Sequence, residues 1–257
     1  GEERVELNLP ADILQHSGEY CIDVSLKLKE DTILAKAGFE LAFGQHIFTS
    51  EVKSKEKEPR GSLRVANGDI NVGVHGEDFT VMFSRQVGSL TSLNYAGKEM
   101  IAAPPAPLFW RATTDNDRGY SQTFNSGCWL TASLARKCID FSVTEEKDQV
   151  TVQFTYSFPI SDQIKVVTAY TVYRNGDVKV NSKYHGDDSL PQMPIFATSF
   201  KVEADYDQLE WYARGPEENY SDRSEGARLG IFHNTVSDNV AHYLVPQESG
   251  NRTGVRS

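Results

Sequence analysis

The chain has 257 residues, with 26 Lys or Arg against 36 Asp or Glu and a formal net charge of −10. That length corresponds to one large or two modest domains and buries a sizeable core without disulfides. Hydrophobic residues at 39% and charged residues at 24%, with 19 Gly and 10 Pro, exclude collagen-like, coiled-coil and wholly disordered chains, and the acidic balance repels a phosphate backbone, so nucleic acid is not an expected partner.

The period of the apolar residues is mostly two, the signature of strands. Tyr20, Ile22, Val24, Leu26 and Leu28 alternate with polar residues and predict a strand with one buried face. A second strand is predicted over 37–48, with Phe39, Leu41 and Phe43 on one side, after a polar turn at Lys29-Glu30-Asp31. The stretch 51–60, EVKSKEKEPR, is charged and nearly free of apolar residues and reads as a linker. Strands at 70–74, 79–83 and 90–95 follow, with turns at 75–78, 84–88 and 96–98; their close spacing is that of an antiparallel meander. One short helix is predicted over 129–137. Further strands are expected at 150–158, 166–173, 177–184, 196–202, 209–213 and 240–245. Asn175-Gly176 has the sequence of a type I′ hairpin turn. The fold class is therefore all-β: a small sandwich fragment, a charged linker and a larger antiparallel sandwich of about 190 residues.

No apolar run approaches the roughly 20 residues of a membrane helix, and no basic-then-apolar leader opens the chain. Cys21, Cys128 and Cys138 are odd in number and form no Cys-x-x-Cys pair, which favours free thiols in a reducing compartment. A cytoplasmic protein without membrane partners is expected. The opening Gly in place of Met reads as a fragment.

Three polar clusters could carry chemistry. The first is 107–119, PLFWRATTDNDRG, in which Asp115, Asn116 and Asp117 can converge in a turn on hydroxyls, a cation or backbone amides. It runs into 119–127, a polar segment bracketed by Gly119 and Gly127 that could swing as a lid. The second is 211–223, WYARGPEENYSDR, whose aromatics, arginines and carboxylates suit either a carbohydrate contact or an ion-pair network bracing a loop. The third is 246–252, PQESGNR. The six histidines are scattered, and no zinc motif, nucleophile elbow, P-loop or dinucleotide fingerprint occurs.

FWRATTDNDRG at 109–119, RGPEENYSDR at 214–223 and PQESGNR at 246–252, in this order, resemble the C-terminal sandwich of family 2 β-galactosidases, the small-chain domain, and are similar to the small subunit of heterodimeric lactobacillar enzymes. The resemblance implies a division into residues 1–50, the end of an immunoglobulin-like β-sandwich; 51–65, a charged linker; and 66–257, a galactose mutarotase-like supersandwich cut short at its C-terminus. It implies retaining hydrolysis of β-D-galactosides such as lactose by two glutamates of a central barrel, which needs roughly 250 residues of alternating strand and helix. No such pattern occurs here, so catalytic residues are expected outside this chain.

The same resemblance implies a pocket rim at Asp115, Asn116, Asp117, Gly119, Glu218, Asn219 and Arg223, a mobile loop beginning at Gly119, and a partner in the barrel-bearing region or a large subunit, within an oligomer. Magnesium and sodium or potassium, common in the family, would be held mainly in the barrel, and no cofactor or metal is assigned to this chain. Two other classes share these features. A stand-alone aldose 1-epimerase would need a histidine and a glutamate as its proton-transfer pair, and a carbohydrate-binding module would need an exposed aromatic platform among Trp110, Trp129 and Trp211.

Overall fold

The computed structural model describes residues 4, 6–10, 15–51 and 61–257. Most of the linker stretch therefore lies outside the described residues. The chain forms two compact units. The smaller contains residues 1–57, 208–240 and 249–257, and the larger contains 58–207 and 241–248.

In the smaller unit, strands β1 (Gly18–Lys27) and β2 (Glu40–Ser50) pair antiparallel, with Tyr20 opposite Phe48 and Ile22 opposite His46. The second strand begins three residues later than the pattern suggests. Gly38 stands at φ +89°, in the turn that precedes it, a conformation that favours glycine. The face expected to be buried is largely open: Val24 is 49% and Leu26 62% exposed. Tyr20, Ile22 and Leu28 of the same alternating set are half-buried.

The larger unit holds the core. Strands β3 (Arg64–Asn67), β4 (Asn71–His75), β5 (Phe79–Ser84), β6 (Ser89–Tyr95) and β7 (Lys98–Glu99) form a five-stranded antiparallel sheet in sequence order, the meander expected from the sequence. After it come β8 (Ala103–Leu108) and three short helices, α1 (Asp115–Gly119), α2 (Gln122–Asn125) and α3 (Cys128–Leu134). Strands β9 (Lys137–Glu145), β10 (Gln149–Phe158), β11 (Ser161–Tyr173) and β12 (Val178–His185) make a four-stranded antiparallel sheet, order 12-11-10-9, and β13 (Ala197–Lys201) pairs with β8.

Strict alternation along β10 and β11 buries Val150, Val152, Phe154, Tyr156 and Phe158, and Ile164, Val166, Tyr170 and Val172. The two sheets meet through their aromatics. The Phe83 ring of the meander lies 5.5 Å from Tyr170 and 6.3 Å from Phe154, and the buried Tyr156 hydroxyl donates to the Gly88 carbonyl at 2.6 Å. Burial pushes the Tyr156 phenol well above its ordinary pKa.

The turn at 96–98 and the one at Asn175-Gly176 differ in geometry. Ala96 and Gly97 both have positive φ, 49° and 83°, between the paired Tyr95 and Lys98, so the two-residue I′ turn forms there. At Asn175-Gly176 only Gly176 is left-handed, at φ +91°, and its amide donates to the Tyr173 carbonyl. That is the three-residue connection closed by a glycine bulge.

Strand β8 fixes the start of the helical segment. It leads into Phe109, which is fully buried, with ring centroids 5.5 Å from Trp129, 5.0 Å from Phe158 and 5.9 Å from Phe196. The Phe109 amide donates to Ser133 Oγ at 2.9 Å, and Trp129 Nε1 to the Pro191 carbonyl at 2.9 Å. The segment leaving the core at residue 110 is thus clamped between β8 and α3, and truncating such an anchor typically costs about 3–5 kcal/mol.

In the smaller unit the strands β14 (Gln208–Gly215) and β15 (Arg228–Thr235) pair antiparallel. The last residues run along β14: Tyr212 N–H donates to the Ser257 carbonyl and Arg256 N–H to the Tyr212 carbonyl. Gln45 of β2 exchanges two hydrogen bonds with the Leu229 backbone, at 3.0 and 2.8 Å, and Arg228 is ion-paired with Glu40. The strand expected at 240–245 does not form; Val240, Tyr243, Leu244 and Val245 are exposed. Among the described residues no helix is long and apolar enough to cross a membrane, and the three cysteines are free.

Candidate functional site

In the larger unit, the acidic run is the first turn of a helix rather than a bare turn. Thr114 caps α1 with a reciprocal box: the Asp117 amide donates to Thr114 Oγ1 at 3.3 Å, and the Thr114 amide to Asp117 Oδ2 at 2.7 Å. Two orphan amides of the helix end are satisfied at once.

Asp117 carries more than the cap. Arg111 grips it with both terminal nitrogens, Nη1 to Oδ2 at 2.6 Å and Nη2 to Oδ1 at 3.2 Å. The buried Gln122, with its amide nitrogen turned to the carboxylate, donates to both oxygens at 2.8 and 2.9 Å. The Arg111 guanidinium, helped by the Thr114 bonds and opposed by burial, holds the Asp117 carboxyl below its ordinary pKa. A hollow of about 180 Å³ opens beside this pair, lined by Arg111, Asp117, Tyr120, Gln122, Ser126 and Gln192 among others.

The other predicted residues of this unit stand around the fork. Asp115 and Asn116 are exposed; the Asp115 amide donates to the Pro246 carbonyl at 2.8 Å, and its carboxylate lies 3.7 Å from Arg118. Gly119 is exposed, with open space where a side chain would stand. Gly127 is different in kind, because a Cβ there would come within 2.5 Å of the Thr123 carbonyl oxygen. Close backbone approach accounts for the glycine.

Glu218, Asn219 and Arg223 lie in the smaller unit and form a cluster of their own. Asn219 is buried; its amide nitrogen donates to the Arg214 and Glu217 carbonyls at 2.9 and 3.1 Å, and its oxygen accepts from the Thr253 amide and hydroxyl. Its backbone amide donates to Asn251, whose side chain returns a bond to the Asn219 carbonyl. Glu218 accepts from Arg223 and from the Gly250 amide, each at 2.6 Å, and the Arg223 guanidinium lies over the Tyr220 ring. This cluster is a bracing network. It ties the 214–223 loop to 250–253.

Chemically, a carboxylate held ionised and surrounded by donors is suited to fixing geometry. A general acid needs the opposite shift. Arg111, Thr114 and Gln122, which hold Asp117, are not among the rim residues that the resemblance implies, although the spacing Thr114-x-x-Asp117 is a readable capping signal. Trp129 is buried and Trp110 and Trp211 half-buried, so no tryptophan offers an open platform. Among the described residues, no three histidines, cysteines or carboxylates gather as metal ligands.

The class defined here is an all-β protein of antiparallel sandwich architecture whose polar clusters tie loops together. The sequence matches the family described as "Beta galactosidase small chain" over residues 75–257 and that described as "Beta-galactosidase, domain 4" over residues 1–49. The chain belongs to the β-galactosidase small-chain family. It is 56% identical to a β-galactosidase of Halalkalibacterium halodurans over 98% of this chain and 26% of that one. It is 39% identical to one of Clostridium acetobutylicum, over 91% and 26%. It is 34% identical to the β-galactosidase small subunit of Latilactobacillus sakei, over 73% and 65%. The chain thus spans about a quarter of the length of the first two.

Proposed function

We propose that this chain is the C-terminal part of a β-galactosidase, forming one wall of a substrate pocket whose catalytic glutamates belong to a barrel-bearing region or large subunit. The observation that carries this reading is 56% identity along 98% of the chain to a relative named β-galactosidase of which it spans only 26%. Retaining hydrolysis needs two carboxyl groups about 5–5.5 Å apart, one of them with a raised pKa. Asp117, bound by Arg111 and shifted downward, is unsuited to the acid's part, which supports placing the acid elsewhere.

On this reading Asp115, Asn116 and Gly119 stand at the rim, Asp117 holds them there, and Glu218, Asn219 and Arg223 brace the second loop. The substrate is a terminal β-D-galactoside such as lactose, the assembly is oligomeric and the compartment is the cytoplasm. Magnesium and an alkali cation would be held mainly by the barrel-bearing remainder of the enzyme. The test is hydrolysis of o-nitrophenyl β-D-galactoside by the purified chain alone and after mixing with the barrel-bearing part. Activity is expected only in the mixture. Full activity of the isolated chain refutes the proposal.

A further inference from the structure

Inside the larger unit, a groove of about 330 Å³ opens between the edges of two sheets. Leu90 and Tyr170, 3% and 1% exposed, line its buried side, while Val180 and Phe200, 48% and 55% exposed, stand at its mouth. One wall is β12, the outer strand of the four-stranded sheet, and the other is β13, which pairs with β8 alone. The register fixes where the main chain of β12 points. The Tyr173 amide donates to the Asp177 carbonyl, and hydrogen-bonded pairs alternate along an antiparallel ladder. Lys179 and Asn181 therefore bond to Thr171 and Ala169 of β11, and the amides and carbonyls of Val178, Val180 and Ser182 point away from it. The same three residues line the groove with their side chains, whereas Lys179 and Lys183 fall on the opposite face. Sheet edges in folded proteins are charged, kinked or covered. This one runs without a bulge, and among the described residues no strand pairs with its outer side and no charged residue lines the groove.

We infer that this groove receives an extended segment from the remainder of the β-galactosidase, which adds a strand to β12, an inference that rests on the function proposed above. An added strand pairs with the outward amides and carbonyls and sends every second side chain into the groove, opposite Val178, Val180 and Ser182. The match with this chain covers 26% of the Halalkalibacterium halodurans relative and 65% of the Latilactobacillus sakei small subunit, so each carries further sequence from which a strand can come. A small apolar ligand would fill the groove but bury those main-chain groups without partners, which is costly. Antiparallel pairing of two β12 edges would bring Lys179 and Lys183 of the two copies together on the outer face, a like-charge arrangement that disfavours a second copy as the occupant.

The experiment uses the complete enzyme carrying this chain. Hydrogen exchange read at single residues is expected to find the Val178, Val180 and Ser182 amides exchanging within about tenfold of those of Lys179 and Asn181, which bond to β11; a wider gap overturns the proposal. Photolysis of the enzyme with p-benzoyl-L-phenylalanine in place of Phe200 is expected to join the groove to a segment of the enzyme outside this chain. A cross-link to a second copy of this chain, a small molecule released from the groove on denaturation, or no cross-link overturns the added strand. Val180→Asp puts a carboxylate among apolar side chains and is expected to speed exchange at Val178 and Ser182 at least about tenfold while leaving Lys179 and Asn181 unchanged; a smaller rise, or an equal rise at all four, overturns it. These readouts do not depend on turnover. Hydrolysis of o-nitrophenyl β-D-galactoside by the same enzyme is measured separately, and its absence overturns the functional assignment instead.

Discussion

Replacing Asp117 by Ala removes, in one step, the capping acceptor of α1 and the partner of Arg111. The cap is worth about 1 kcal/mol. The fork is charge-assisted and largely shielded, with the Arg111 and Asp117 side chains 23% and 14% exposed, and hydrogen bonds to charged groups contribute about 1.5–3 kcal/mol. The expected loss for Asp117→Ala is therefore about 3 kcal/mol. For a unit of this size that lowers Tm by roughly 6–12 °C. Asp117→Asn keeps one acceptor for the Thr114 amide but loses the charge and turns the other oxygen into a donor facing Arg111 and Gln122, so it costs nearly as much. A double-mutant cycle with Arg111→Ala, followed by urea unfolding, isolates the pair, with an expected coupling of about 1–3 kcal/mol. The pH dependence has a definite sign. The folded carboxyl lies below its unfolded pKa, so its stabilisation is complete above about pH 4 and is lost as the pH falls through the lowered folded value; the Asn variant lacks that slope. Stability of Asp117→Ala within about 0.5 kcal/mol of the parent chain refutes the claim that this carboxylate holds the 111–122 segment.

Other positions make separate tests. Asn219→Ala strips four side-chain hydrogen bonds from a buried site, with an expected loss of about 2–4 kcal/mol and faster hydrogen exchange at the Thr253 amide. Gly88→Ala forces a side chain onto a residue at φ +66° whose Cβ would lie 2.6 Å from Cys138 Cβ, and a destabilisation above about 2 kcal/mol is expected in thermal melts. Tyr156→Phe leaves the Gly88 carbonyl without its buried donor, at a cost of about 1–2 kcal/mol. Because the Tyr156 phenol titrates above its unfolded value, its contribution is intact below about pH 10 and declines as the pH rises beyond that, a decline the Phe variant does not show in alkaline unfolding.

The two-residue period made the sandwich legible where one face of a strand meets a core. Buried and less buried residues alternate along β10, along β11 from Ile164 and over Phe79–Phe83 of β5, and the buried set is apolar but for Thr168. The period failed where burial is decided by other elements. β8 carries Pro104, Pro105 and Pro107, which argues against a strand, yet it pairs with β13 along one side only, where proline is tolerated. The run 240–245 has strand composition but finds no pairing partner among the described residues. The helix read at 129–137 ends at Leu134, because Ala135 turns extended and Lys137 opens β9. At the Asn-Gly pair the favoured dipeptide was outweighed by hairpin register, Val172 opposite Val178, which leaves room for a longer connection than a two-residue turn.

The site was legible as a set of residue types and less so as a set of roles. Asp115, Asn116 and Asp117 look alike in sequence, and the structure separates them: a helix turn directs Asp117 back onto Arg111 and leaves Asp115 and Asn116 to solvent. The difference follows from a single phase, set by Thr114 as the cap, which puts the third helical residue over the cap amide. The same logic applies to Asn219, whose amide spans donor and acceptor partners that come from segments more than thirty residues apart, a pairing that no local pattern encodes. Both residues consume their polar atoms in holding loops. The groups left to meet a ligand are the exposed ones, and in the segment after Gly119 those are Tyr120, Ser121, Thr123, Phe124 and Asn125. Mutations at the fork should accordingly change loop stability and substrate affinity together, and measuring Tm and KM on the same variants tests that coupling.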